Sequence, residues 1–319
     1  MIEALRARRR IAPYIRRTPL VRSSWLSDSS GGDVWLKLES LQATNSFKAR
    51  GAFNAVIARL ERSERRPRPL VTASAGNHGS ALAAAAATFS LPLVVITPAN
   101  APAAKLDAIR RHGADLRADA RDYDEAERMA KTFARDTGAE FISPYSDQDV
   151  IDGAATVALE LFEDVPDLET MVVPIGGGGL VSGAAAVAKA INPRVEVVGV
   201  ELEVSHAFLA SLRAGRLVEI AAGESLADGL GGNADPETIT FALIQRLVDR
   251  IVTVSEDDLA AALVGLFERE HLITEGAGCA ATAAVLRGRA EVSGRRAAVI
   301  VSGSNIDLAR FVSVVARSL

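Results

Sequence analysis

Met171-Val172-Val173-Pro174-Ile175-Gly176-Gly177-Gly178-Gly179-Leu180 passes from an apolar, β-branched run through four glycines into an alanine-rich stretch. This order reads as a buried strand, a turn and the start of a helix. Glycines leave the backbone N–H groups of such a turn unhindered, and a helix beginning there adds the positive end of its dipole. The turn is either a phosphate cradle or only a tight strand-to-helix connection. A nucleotide P-loop is excluded because no lysine and hydroxyl residue follow, and the dinucleotide pattern fails because Val181 or Ser182 stands where its third glycine belongs.

Working outward, short apolar runs alternate with longer amphipathic or alanine-rich ones, the pattern of an α/β chain with mostly parallel sheets and crossover helices. Strands are expected at Val34–Leu38, Leu70–Ala73, Leu93–Thr97, Met171–Val173, Val195–Val200, Arg250–Val254 and Ala297–Val301. Helices are expected at Phe47–Leu60, Asn77–Ser90, Pro102–Arg111, Tyr123–Asp136, Gly153–Phe162, Leu180–Ala190, Asp257–Glu270 and Gly278–Leu286. Ala83–Ala87 is explained by helix propensity and close packing alone. The charged, proline-containing segment Glu61–Pro69 is read as a crossing between a large domain, 1–60 with 148–319, and a small one, 61–147.

The 319 residues are 49% hydrophobic, enough for a substantial core without staples. A net charge of -4, from 36 basic and 40 acidic residues, gives no reason to expect nucleic acid or an anionic membrane as partner. Small molecules are the expected ligands. One cysteine, Cys279, excludes an internal disulfide framework, and the four histidines show no zinc-site spacing, so a reducing, cytoplasmic setting is expected. The arginine-rich N-terminus lacks the apolar core of a signal peptide and reads as a surface helix, and no run reaches the length of a membrane span.

Two further turns of small residues follow expected strands, Ser74-Ala75-Gly76-Asn77-His78-Gly79 and Ser302-Gly303-Ser304-Asn305. Ligands of open α/β sheets sit at such strand ends, so the three turns are expected to form one composite site. Lys48 opens a helix, where its charge opposes the dipole, and alone it would read as a solvated surface charge. A phosphate cradle elsewhere in the chain changes that balance, because a desolvated lysine amine can form an imine with a carbonyl compound.

Lys37-Leu38-Glu39, Ser46-Phe47-Lys48-Ala49-Arg50-Gly51-Ala52, SAGNHG, GGGGL, ADGL and SGSN, in that order, resemble the threonine dehydratase and serine racemase group of pyridoxal-phosphate enzymes. The likeness extends from Arg17-Thr18-Pro19-Leu20 through APAAKLDAIRRHGA and covers nearly the whole chain. It implies the tryptophan-synthase-β-like fold, with two open, mostly parallel sheets flanked by helices, and a homodimer. The implied cofactor is pyridoxal 5'-phosphate, bound to Lys48 as a Schiff base. Phe47 would lie against its ring, Asn77 would bond the ring hydroxyl, Gly176, Gly177, Gly178, Gly179 and Leu180 would hold the phosphate, and Ser302 would face the ring nitrogen. Ser74, Asn77 and His78 would line the carboxylate of a small amino-acid substrate.

The implied reaction is removal of water and ammonia from a β-hydroxy amino acid such as threonine or serine, with Lys48 taking the Cα proton. Racemisation or β-replacement on the same scaffold, and a non-catalytic binding protein, are the alternatives. Racemases of the group carry a serine where this chain has Ala75, whereas the dehydratases read SAGNH. The group's divalent-cation site is not expected: Glu201 matches one ligand, but Ala207 stands in place of an aspartate, and Glu203 reads as a surface carboxylate. Glu275 is either near the cofactor or a helix-start carboxylate, and Asp228 is expected to fix a loop. Asn45, Ser40, Ser304 and the segment Asp152–Thr156 depart from the group's pattern close to the expected site. The chain ends at Leu319, soon after Ser302, so an appended regulatory domain is not expected.

Overall fold

The structure, a computed structural model, describes residues 1–63, 68–101 and 103–317. Part of the expected crossing Glu61–Pro69 and the first residue of the expected helix Pro102–Arg111 therefore lie outside the described residues. In chain order the elements are α1 (Ile2–Ile11), β1 (Leu20–Arg22), α2 (Ser24–Ser30), β2 (Asp33–Leu38), α3 (Lys48–Arg62), β3 (Leu70–Ala73), α4 (Asn77–Thr88), β4 (Leu93–Pro98), α5 (Ala103–Arg110) and β5 (Asp115–Ala120). There follow α6 (Tyr123–Thr137), β6 (Glu140–Phe141), α7 (Gln148–Asp164), β7 (Thr170–Pro174), α8 (Gly179–Ile191), β8 (Glu196–Leu202) and α9 (Ala207–Ala214). The chain continues with α10 (Thr240–Leu247), β9 (Arg250–Val254), α11 (Glu256–Glu270), α12 (Gly276–Leu286), β10 (Arg296–Val301) and α13 (Leu308–Ala316).

Two sheets result, as an α/β chain with crossover helices requires. The larger has the order β1-β2-β10-β7-β8-β9 and is parallel except for the β1–β2 pair; the smaller, β5-β4-β3-β6, is parallel throughout. Alternation along β10 sends Ala297, Val299 and Val301 into one core and Ala298 and Ile300 into another, so helices cover both faces of the large sheet. The small sheet is covered likewise, with Leu70, Leu93 and Val95 on one side and Val71, Val94 and Ile96 on the other. Helix α3 lends Ala49, Ala52, Phe53, Ala55 and Val56 to the first of these small-sheet cores.

Each expected strand and helix is present, displaced by a few residues at most at its ends except for α7, which starts at Gln148 instead of Gly153. Three strands escaped the sequence reading. β5, Asp-Leu-Arg-Ala-Asp-Ala, is a half-exposed edge strand with little apolar content, and β1 and β6 are too short to show a period. The N-terminal helix α1 is amphipathic, burying Ala4, Ala7 and Ile11 while its arginines face outward.

Between β2, α3 and α7 lies a charged core. Arg50, Lys37 and Glu39 are wholly buried, and Glu160 of α7 is 4% exposed. Arg50 Nε and Nη2 donate to Glu39 at 2.7 and 2.8 Å, while Nη1 and Nη2 donate to Glu160 at 2.7 and 2.9 Å. Nη1 also donates to Thr156 Oγ1 at 3.1 Å, so every guanidinium N–H has a partner. Lys37 Nζ donates to Glu160 at 2.5 Å and to the Thr18 carbonyl at 2.7 Å. Burial works against the charge of Glu160, but the hydrogen bonds and charge of Arg50 outweigh it and hold its carboxyl below the usual range.

Two glycines let the helices carrying this cluster approach. A Cβ on Gly153 of α7 would lie 2.3 Å from the Arg50 carbonyl oxygen, and one on Gly51 of α3 2.7 Å from the Val150 carbonyl oxygen. Asp152–Thr156 thus keeps the small residue that the crossing needs and supplies Thr156 to Arg50. Glu160→Ala should lower unfolding free energy by about 3–5 kcal/mol, because it leaves the two buried cations Arg50 and Lys37 with Glu39 as the one carboxylate of the cluster. The same change at exposed Glu3, which pairs with Arg6, should scarcely move a denaturant midpoint.

Candidate active site

All three small-residue turns leave the carboxyl ends of parallel strands: Ser74 follows β3, Gly176 lies just past β7, and Ser302 follows β10. The Ser302 turn joins Lys48 through the backbone, since Phe47 N–H donates to the Ser302 carbonyl at 3.1 Å and Ser46 bridges Gly303. It also meets the SAGNHG turn, where Asn305 Nδ2 donates to Asn77 Oδ1 at 2.7 Å. The glycine turn is tied in from the other side. Lys48 Nζ donates to the Pro144 carbonyl at 2.7 Å, and the neighbouring Tyr145 packs so closely on the glycines that a Cβ on Gly177 would lie 2.1 Å from its ring. These contacts bring the three turns and the start of α3 together.

Lys48 begins α3, its ammonium 5.0 Å from the centre of the Phe47 ring. Its side chain is half-buried, and loss of solvation lowers its pKa to about 8. His78, at the start of α4 and 2% exposed, is pushed down to about 3 by burial and then by the Lys48 charge. It is a neutral imidazole. The Ile142 carbonyl is near, yet neither ring nitrogen makes a hydrogen bond of proper geometry within the described residues. Ser74 Oγ accepts from the N–H groups of Gly76 and Gly79 at 3.2 and 3.1 Å, shaping the turn that opens α4.

Gly178, at φ +85°, is the N-cap of α8, and no side chain caps that helix. A Cβ on Gly178 would come within 2.7 Å of Ile244, and one on Gly176 within 2.8 Å of the Gly229 carbonyl oxygen. Uncapped N–H groups, a helix dipole and the absence of side chains make a place that fits a phosphate dianion. Thr240 holds the turn from behind, its hydroxyl donating to the Gly177 carbonyl at 2.9 Å. Leu180 contributes backbone only, since its side chain is in the core. Ser302 is 4% exposed, and its hydroxyl donates to the Ala277 carbonyl at 3.2 Å, a bond it can exchange by rotation.

The sequence reading assigned no role to Pro144, Tyr145, Thr240 or Asn305. The SGSN motif contained Asn305; the others carry no local pattern. Glu275, left open above, precedes α12 but does not cap it, and instead accepts from Asn77 Nδ2 at 2.6 Å. Burial raises its pKa to about 7. Asp228 fixes its loop by pairing with Lys105 and approaching Arg310 at 3.6 Å. Glu201 accepts from the N–H groups of Phe208 and Leu209 at 2.9 and 2.8 Å, closing the start of α9; burial raises it to about 7 against those two bonds. Glu203 is exposed and lies 3.5 Å from Arg289.

The departures from the family pattern support one another. Asn45 stands at φ +58°, a conformation that asparagine tolerates better than most residues with side chains. Ser304 N–H donates to its carbonyl at 2.9 Å, while Ser304 Oγ donates to the Ser40 carbonyl at 2.8 Å. The three substituted positions thus form a single contact at the edge of the site.

The sequence profile of the family described as "Pyridoxal-phosphate dependent enzyme" matches residues 11–303. An L-threonine ammonia-lyase of Thermotoga maritima is 42% identical over 302 residues, 95% of this chain and 74% of its own. A catabolic L-threonine dehydratase of Staphylococcus aureus is 35% identical over 317 residues, 98% of this chain and 91% of its own. The structure of maize serine racemase superposes with a TM-score of 0.91 at 32% identity, covering 99% of this chain and 97% of that one. In Gly178→Asp, a carboxylate would stand beside the bound phosphate on a strained backbone. Fluorescence titration should show cofactor affinity weakened about tenfold or more, with an unchanged circular dichroism spectrum.

Proposed function

The chain belongs to the pyridoxal-phosphate dependent enzymes, and on that premise we propose that it is an ammonia-lyase, removing water and ammonia from a small L-β-hydroxy amino acid such as threonine or serine. The observation that carries the reading is Lys48, a lysine of lowered pKa where the three turns meet, in a chain so similar to an L-threonine ammonia-lyase. Threonine would yield 2-oxobutanoate and serine pyruvate, each with ammonium.

The uncapped, glycine-lined start of α8 fits a phosphate, and on this reading it would hold that of the cofactor, while Phe47 would lie against the ring, Asn77 would bond the ring hydroxyl and Ser302 would face the ring nitrogen. Bound there, pyridoxal phosphate supplies an electron sink that stabilises the charge left on Cα. Lys48 holds the cofactor and, as a free amine brought to about 8, accepts the Cα proton. The first turn of α4, with Ser74, Asn77 and His78, holds the substrate carboxylate at the positive end of the helix dipole. The Cβ–O bond would then break with the hydroxyl leaving as water, carrying the proton that Lys48 took from Cα, and the released enamine would take up water to give the 2-oxo acid and ammonium. A neutral serine at the ring nitrogen stabilises the carbanion less than a carboxylate would, which favours prompt elimination over transamination.

The racemase reading draws on the maize structure, but inversion needs an acid on the face of Cα opposite Lys48. Ala75 offers none. The same proposal covers division into domains 1–60 with 148–319 and 61–147; the small sheet's strands all lie within 70–141, which supports it. It includes a homodimer, for which the exposed Phe267, Leu308 and Val312 on α11 and α13 offer apolar surface, and a cytoplasmic setting suited to the single buried cysteine. No described helix is long and apolar enough to cross a membrane.

Incubation of L-threonine or L-serine with the enzyme in deuterated water should give deaminated product with scarcely any inverted amino acid. Comparable rates of inversion and ammonia release would replace the lyase reading by the racemase one. Lys48→Ala should abolish turnover and remove the borohydride-fixed cofactor from the Lys48 peptide.

A further inference from the structure

The carboxamide of Asn77 is gripped at both ends. Its Nδ2 donates to Glu275 Oε1 at 2.6 Å, and its Oδ1 accepts from Asn305 Nδ2 at 2.7 Å. Asn305 is itself fixed, because the same Nδ2 donates to the Thr44 carbonyl at 3.0 Å and its Oδ1 accepts from Asn45 Nδ2 at 3.3 Å. Gly303 leaves the room this requires: a Cβ there would lie 2.1 Å from Glu275 Oε1 and 3.2 Å from Asn77 Nδ2. Glu275 N–H, in turn, donates to the Gly303 carbonyl at 3.2 Å.

Resting on the pyridoxal-phosphate reading, we propose that Glu275 and Asn305 are positioning residues. They fix the polarity of the Asn77 carboxamide so that its second N–H faces the ring hydroxyl of the cofactor. The two ends of a carboxamide have nearly the same shape, so packing alone does not decide which end donates. Here the polarity comes from groups that cannot reverse. The backbone carbonyl of Thr44 only accepts, so Asn305 must turn its NH2 toward it, and the same NH2 then reaches Asn77 Oδ1. A Glu275 carboxylate also only accepts, and calls for the NH2 of Asn77 at the other end. One hydrogen of that NH2 remains. Were Asn77 flipped, its oxygen would replace this N–H beside the ring oxygen, setting acceptor against acceptor.

Glu275 need not be ionised throughout for this to hold. Burial raises its pKa, the Asn77 bond and the Lys105 ammonium lower it, and the Asp228 carboxylate raises it. The buried Cys279 thiol also lies within its field. A protonated Glu275 could satisfy either end of Asn77, and the Thr44–Asn305 arm would then keep the polarity alone. The clamp therefore has two arms: the Glu275 arm acts where that carboxylate is ionised, and the Thr44–Asn305 arm, which does not titrate, acts throughout.

The test uses holoenzyme and reads the pH midpoint of the visible Schiff-base band together with cofactor affinity. A donor to the ring oxygen competes with the imine proton for its charge, so losing the donor raises the midpoint. Asn77→Ala should raise it by about one unit. Asn305→Asp places an acceptor against Asn77 Oδ1 and should give a shift of the same sign with Asn77 intact, with cofactor binding weakened several-fold. Glu275→Gln should stay near the unmodified midpoint while Asn305 is present, and move upward when combined with Asn305→Leu, a pair that avoids a new buried charge. If Asn77→Ala shifts the band while Asn305→Asp and the double variant leave it in place, the clamp is refuted. If the unmodified protein forms no visible band with pyridoxal phosphate, the cofactor reading itself falls, and a protein that forms the band in every variant separates the two failures.

Discussion

Arg50 is the interaction on which the site depends. Its guanidinium joins Glu39, at the end of β2, to Glu160 and Thr156 of α7, and Lys37 closes the set on the strand side. Taking these charges out of water is costly, and the cost is offset only because each N–H finds an oxygen. The reward is geometric. Two residues along a helix is a rotation of about 200°, so with Arg50 buried downward Lys48 must point the opposite way, into the pocket. No side chain caps the start of α3, where the Ala49 and Arg50 N–H groups donate to the Ser46 and Phe47 carbonyls instead.

That arrangement in turn requires backbones to come nearer than side chains allow. Gly51 and Gly153 let α3 and α7 touch, and Gly278 and Gly303 do the same for α12 and the turn after β10, where a Cβ on Gly278 would lie 2.0 Å from the Gly303 carbonyl oxygen. At Gly178 both the φ freedom and the missing Cβ matter; at the other four positions what matters is the missing Cβ. A glycine motif in this chain thus has two physical meanings. One is an open cradle for a ligand, and the other is the contact that carries the cradle's supports.

Much of this was legible. The buried strand Leu70–Ala73 and the partly buried edge strand Arg250–Val254 are both short runs bounded by turns, and their ends match the structure. The turns that follow strands could be placed at one site because an open α/β sheet presents its loops at a common edge. The identity of Lys48 as the central group, by contrast, came from the ordered motifs and not from its local sequence. Pro144 and Tyr145 were invisible, since the first acts through a carbonyl and the second through a ring laid on glycine, neither of which leaves a pattern. Arg50 and Glu39 were read only as motif letters and Glu160 was not singled out, because pairing across 110 residues of sequence is a property of the folded chain.

The same burial that positions the site also removes charge from it. His78 is neutral, Lys48 is drawn toward its free amine, and Glu275 is drawn toward its acid. The anionic groups of the proposed ligands, a phosphate and a carboxylate, are then met by the N-termini of α8 and α4. Helix dipoles do not titrate, so recognition of the two anions is separated from the proton transfers at Cα. A cationic side chain at either place would bind its anion more strongly, but it would also press the Lys48 ammonium to lose its proton and draw charge away from the reacting carbon. Using backbone amides for binding adds no titrating cation beside Lys48, whose pKa is lowered by burial.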